Sequence, residues 1–183
     1  MRTVSKIAFA VSVLLLLPLS PRAETSRSSR VDVEVDPTAY ILNGYSLHAG
    51  VWVKRLRIDL GAFAMDLPEA ILGNDDFDAS FNGYGVKLQY FLFQERSGAF
   101  FGVDGGVTKV LAQSASSDAA SYADQYGAGI HLGWRFAFGD LFYATAWMGV
   151  GYAFNAEDVA LDGKTLEMPP WTFFPAIHLG KAF

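Results

Sequence analysis

The three histidines of the chain, His48, His131 and His178, each lie in a stretch where residue character alternates with a period of two. His48 stands six positions before a turn at Lys54, His131 six before Ala137, and His178 five before the end, all on the less apolar face. Imidazoles at similar heights around one interior could converge on a transition metal or titrate near neutral pH, although their strands are not all adjacent. The competing expectation is three polar side chains, each hydrogen-bonded inside a narrow interior. Ser46 shares the face of His48, and Asp36 or Asp59 could approach from neighbouring strands, which sketches a Ser/His/Asp acyl-transfer relay. No second motif supports it. Asn74, Asp76 and Asp78 are spaced like the start of a calcium loop, but Ala79 stands where Gly is required and Gly85 where Glu is. A weak divalent-ion contact competes there with a plain solvated acidic loop. The same face also carries Asp32, Glu34, Asp36, Asp59 and Asp104 against Arg57, Lys87 and Arg135. In a confined interior such charges are expected to pair, because an unpaired buried charge is costly. No cofactor is expected.

The elements that must carry these residues are strands. Alternation runs through 31–42, 45–53, 56–64, 84–92, 100–108, 126–136, 142–152 and 171–183. One face is apolar throughout, as in Leu47, Ala49, Val51, Val53 or Ile130, Leu132, Trp134, Phe136. The other mixes Gly, charges, His and aromatics such as Phe63, Phe91, Phe100, Trp147 and Phe174. A soluble sandwich would show Lys, Glu and Thr on its solvated face; here that face is rich in Gly. An exterior facing lipid and a packed polar lumen fit better.

Short connections (54–55, 94–98, 137–140) alternate with long ones (66–81, 111–122, 155–170), as between the two sides of a membrane barrel. The expected fold is all-β, an eight-stranded antiparallel up-and-down transmembrane β-barrel. Asn43-Gly44 is expected to turn the first hairpin through a three-residue loop with a Gly bulge, opposing Leu42 and Ser46. Pro37 is the weak point of that first strand. Asp162-Gly163 predicts a hairpin beyond the bilayer, and 114–121 reads as a low-complexity, mobile loop tip. Tyr45, Tyr84, Tyr126 and Trp171 at one end, with Trp134, Phe136 and Phe142 at the other, are expected to form aromatic girdles. An eight-stranded lumen is just wide enough for side chains, which disfavours a general porin.

Composition agrees. A hydrophobic fraction of 51% and a formal charge of −5 exclude a disordered chain and a basic nucleic-acid binder, so no nucleic acid is expected as a partner. Residues 1–23 read as a signal peptide: Arg2 and Lys6, an apolar run from Ile7 to Leu17, Pro18 and Pro21, then Ala23. That run is too short to span a bilayer as a helix. Its removal would leave 24–183 as the barrel domain and take the formal charge from −5 to −8.

Over about residues 30–183 the chain resembles the small eight-stranded outer-membrane barrels of the OmpA/OmpX/OmpW type. The local match is the last strand, where Ile177, Leu179 and the terminal Phe183 look like the insertion signal of that class; Lys181 departs from it. The resemblance implies insertion by the barrel assembly machinery, contact with outer-membrane lipids and lipopolysaccharide, and a monomer in the bacterial outer membrane. It implies a non-enzymatic structural or surface-interaction role through the outer loops. The alternatives are a lipid A-modifying acyl hydrolase or transferase and a narrow channel or carrier of a small hydrophobic ligand.

Overall fold

A strand that is apolar on one face and polar on the other must either pack that face away or present it to lipid, and here the strands close into a ring. The computed structural model describes residues 30–139 and 141–183. The proposed signal peptide lies outside the described residues. Eight antiparallel strands form a closed barrel: β1 (Val31–Val35), β2 (Tyr45–Val53), β3 (Leu56–Leu67), β4 (Phe77–Phe91), β5 (Gly98–Ser114), β6 (Ala120–Phe138), β7 (Phe142–Ala153) and β10 (Trp171–Ala182). Each pairs with its neighbours in sequence, and β1 closes the ring against β10 through Asp32↔Ala182 to Val35↔Leu179. Short turns and the Val31–Phe183 junction define the inner end; the long connections define the outer end.

The expected alternation holds. Leu47, Leu60, Tyr84, Ile130, Leu132 and Ile177 are exposed on the outside, while Asp32, Glu34, Arg57, Asp59, Gln89 and Arg135 are buried inside. The registers Tyr84↔Val107, Val107↔Tyr126, Ala128↔Tyr152 and Tyr152↔Trp171 bring the outer aromatics to one level, forming the girdle.

Two expectations are corrected. The first strand does not run to residue 42. It ends at Val35, and α1 (Pro37–Ile41) follows, with the Asp36 carboxylate accepting from Thr38 N at 2.8 Å as N-cap and Pro37 in the first turn. Extending the β1–β10 register would set Pro37 opposite Ile177 and Ala39 opposite Pro175, so both edges of the missing ladder carry a residue without an N–H. The helix takes the strand's place in the wall. Asn43-Gly44 accordingly ends a helix and turns no hairpin: Asn43 is left-handed (φ 54°) and Gly44 N bonds Ala39 O at 2.8 Å, a Schellman closure.

The outer connections are also shorter than expected, because the strands continue into them. β6 has 19 residues, nearly twice the roughly 10 that a tilted strand needs to cross a bilayer. Above the girdle the faces invert. Phe77 and Ala79 point inward and are buried, while Asp78 and Asn82 point outward and are exposed. On this raised sheet sits a small apolar core of Phe77, Ala79, Ala112, Val159 and Leu166, with Leu67, Leu72, Ala123, Leu161 and Met168 packed around it. Val159 and Leu166 come from the expected hairpin, β8 (Val159–Leu161) and β9 (Lys164–Leu166), whose turn places Asp162 and Gly163 at φ 52° and 72°. α2 (Glu69–Leu72) contributes Leu72. The supposed serine-rich tip is a tight turn closed by Ser114 N to Ala119 O at 2.9 Å, with the Ser117 hydroxyl accepting from Ala119 N at 3.0 Å.

Candidate functional site

Inward parity gathers the polar residues of all eight strands into one column. Arg57 on β3 is its hub, fully buried. Its Nη2 lies 2.7 Å from Asp32 Oδ1 and 2.9 Å from Asp59 Oδ2, and its Nη1 donates to Gln89 Oε1 at 2.9 Å and Glu34 Oε1 at 3.3 Å. Arg135 on β6 approaches the same acids from the opposite wall, reaching Asp32 Oδ2 at 2.9 Å and Glu34 Oε2 at 3.3 Å. The Trp52 indole N–H donates to Asp32 Oδ2 at 2.6 Å. A guanidinium presents its donors in a planar fork, which is why two arginines can hold two carboxylates where lysines could not.

Each histidine joins this column through Nδ1: His48 with Asp59 (3.0 Å), His131 with Asp104 (2.7 Å) and His178 with Glu34 (2.9 Å). His48 and His178 converge, with ring centres 4.9 Å apart, but His131 stands against Trp147 and Phe100 instead. The Trp147 indole donates to His178 Nε2 at 3.3 Å. Lys87 lies 3.6 Å from Asp59 Oδ1, with its ammonium 4.9 Å from the Trp147 ring centre. The expected lumen cluster of His48, His131, His178, Asp59, Asp104, Arg57, Lys87 and Arg135 is therefore a connected network. Among the described residues no group of three or more His and carboxylate side chains is arranged to hold a metal ion.

Glycines make the crowding possible. A Cβ on Gly61 would collide with the His48 ring, and one on Gly180 with the Tyr143 ring. Tyr143 in turn stacks under the Arg135 guanidinium, 3.8 Å from its ring centre. Below the ionic column, Trp52, Phe91 and Phe100 form a buried aromatic plug at the inner end. Above it, Gly85, Gly106 and Gly127 stand in register on three adjacent strands and offer no side chains, and the Asp104 side chain is 35% exposed. The lumen is thus accessible at the level of Asp104 and buried at the ion pairs below it.

The hydrolase set is assembled only in part. Asp59 takes the acid's place on His48 Nδ1 at 3.0 Å, but the Asp36 carboxylate is committed to Thr38 N, and Ser46 Oγ accepts from Asp36 N at 3.1 Å and makes no hydrogen bond to His48. The calcium-loop trio separates as well. Asn74 accepts from Asp76 N, Asp76 pairs with Lys164 at 2.6 Å, and Asp78 points outward from β4. Those contacts tie the cap together, as does the Ser117 hydroxyl donating to Asp162. Sequence reasoning had assigned no role to Trp52, Gln89 and Tyr143. Parity put all three on the lumen face, but nothing in the residues announced the acids and cations they would meet. The cap core was missed altogether, although the inversion at Phe77 and Ala79 was its available signal.

The fold is shared with known barrels. The crystal structure of Neisserial surface protein A matches with a TM-score of 0.53 at 13% identity, over 84% of this chain and 94% of that one. The N-terminal β-barrel domain of Pseudomonas aeruginosa OprF aligns with a TM-score of 0.48 at 15% identity, over 84% and 96%. No protein-family description and no curated sequence matches the chain. The likeness to the first establishes the small eight-stranded outer-membrane barrel fold.

Proposed function

We propose that this protein is an integral barrel of a bacterial outer membrane, closed to ion flow and non-enzymatic, which acts through the folded cap at its outer rim. The observation that carries the reading is the combination of a sealed lumen with a structured exterior. Arg57 and Arg135 bridge Asp32 and Glu34 across the barrel, above the plug of Trp52, Phe91 and Phe100. Ions would have to displace paired charges and then pass packed aromatics, both strongly unfavourable in a narrow low-dielectric interior. The exterior in turn supports the membrane assignment, since a belt of Leu47, Leu60, Leu132, Ile130 and Ile177 beneath a tyrosine girdle suits hydrocarbon and is unsuited to water. The cap has its own apolar core and its own ties, Lys164–Asp76 and Ser117–Asp162. A rigid surface of that kind presents side chains in fixed positions, as recognition requires.

The test is planar-bilayer recording on the refolded protein. No steady single-channel current is expected at moderate voltage. A reproducible open level from folded barrels would overturn the sealed-lumen reading, and release of the folded protein into the soluble fraction would overturn the membrane one.

A further inference from the structure

The cap leaves one strand edge free. β6 pairs with β5 from Ala120 onward, but its pairing with β7 begins only at Gly127, so 120–126 has a partner on one side alone. Tyr126 directs both its N–H and its C=O toward the β7 side: Asn155 Oδ1 accepts from the N–H at 2.7 Å, and Phe154 N donates to the C=O at 2.8 Å. The Asn155 amide also donates to Asp124 O at 2.7 Å, so one side chain imitates the next residue of a strand and then stops. Because backbone direction alternates along a strand, Tyr122 N–H and C=O and Asp124 N–H face the same way. They bond to nothing among the described residues.

Across from this edge lies β8, which is not hydrogen-bonded to β6. Between them is a cleft of about 300 Å³, lined by Tyr122, Ala123, Asp124, Glu157, Asp158 and Val159 among others. Three of these are carboxylates: Lys109 stands 3.7 Å from Asp124 Oδ1 at the rim, Asp158 Oδ1 accepts from Met168 N at 2.9 Å, and the cleft keeps an excess of negative charge. Proteins ordinarily pair, cover or block such an edge; here the block reaches only as far as Asp124.

We propose that this cleft receives an extended peptide segment rich in Lys or Arg, which adds as a strand to the free edge of β6. Main-chain bonds to Tyr122 and Asp124 would supply the docking, and the basic side chains would answer Glu157 and Asp158 and share Asp124 with Lys109. The inference rests on the reading of the cap as the acting surface.

The probe is a fluorescein-labelled hexapeptide of alternating Lys and Val, titrated by anisotropy into the full protein in zwitterionic nanodiscs. Expected is binding at least about tenfold tighter than that of the Glu/Val counterpart or of a Lys/Val peptide with N-methylated amides. Amide exchange should slow at Tyr122 and Asp124. Tyr122→Pro should weaken binding by a similar factor; it removes a donor from the free edge and leaves the β5 ladder intact. In D124K/E157K the preference should reverse toward the Glu/Val peptide. Equal binding of the N-methylated peptide, or no protection at Tyr122 and Asp124, would overturn strand addition. A dimer in the absence of peptide that Tyr122→Pro abolishes would overturn it in favour of a second copy. Neither result touches the sealed lumen or the membrane assignment, which the bilayer recordings and fractionation decide separately.

Discussion

Arg57 is the side chain on which the interior depends most. It is fully buried and reaches Asp32, Glu34, Asp59 and Gln89 at once. Deleting its charge leaves Asp32 and Glu34 to Arg135 and Asp59 to Lys87 and His48, so three buried carboxylates share too few partners, and under-compensated buried charge is far costlier than the pair was stabilising. Arg57→Met is therefore expected to lose about 3–5 kcal/mol in urea unfolding from micelles, the usual scale for breaking a buried pair from one side. Arg57→Lys should recover only part of this, because an ammonium cannot present the guanidinium fork. Equal stability of the Met variant and the parent would show that the column does not hold the barrel. The histidines belong to the same argument: His131 stands apart from His48 and His178, and His178 Nε2 accepts from the Trp147 indole, an arrangement of polar packing and not of a shared metal.

At the scale of elements, the β8–β9 hairpin closes the cap, and its turn carries the pH-sensitive contact. The hydroxyls of Ser117 and, secondarily, Ser114 hold the Asp162 carboxyl below its ordinary value of 3.8. A depressed folded-state value means that the contact stabilises fully above that ordinary value and is lost as pH falls below it. Acidification from pH 6 to pH 3 is thus expected to lower the amide protection factors of 159–166, taken against the intrinsic exchange rate at each pH, before the barrel opens, and Asp162→Asn should remove that loss of protection. Protection factors in the hairpin that stay constant across the range would contradict this. The seam behaves differently. Pro37 and Pro175 deny the outer half of the β1–β10 contact its donors, and α1 fills the space with Ala39 buried and Ile41 exposed.

At the scale of the whole molecule, a closed ring has no frayed edge within the bilayer band except at that seam. Every β2–β7 ladder is continuous between the girdles. Such barrels lose all their ladders together or none, so the unboiled protein should keep its barrel in SDS. It is expected to migrate as a compact species and to shift on boiling. A single unshifted band would mean that the ring is not closed in solution.

The sequence alone determined the class of wall. A period of two sets which residues face in and out regardless of what they meet, so the eight strands, the lumen column and the girdle were all legible from residue type and spacing. It also contained the hairpin, because Asp162-Gly163 acts through backbone conformations local to two residues. What lay beyond it was everything that depends on distant partners. Pro37 marked a weakness, but only the register against Pro175 turned the weakness into a helix in the wall. Ser46, His48 and Asp36 or Asp59 looked like a relay; N-cap geometry claimed Asp36, and Asp59 reached His48 with Ser46 turned to the Asp36 backbone instead. Phe77, Val159 and Leu166 are 89 residues apart at their widest and became a core only when the ring brought their strands to one end. Local alternation could decide the direction in which each side chain points; only closure of the barrel decided what it would find there.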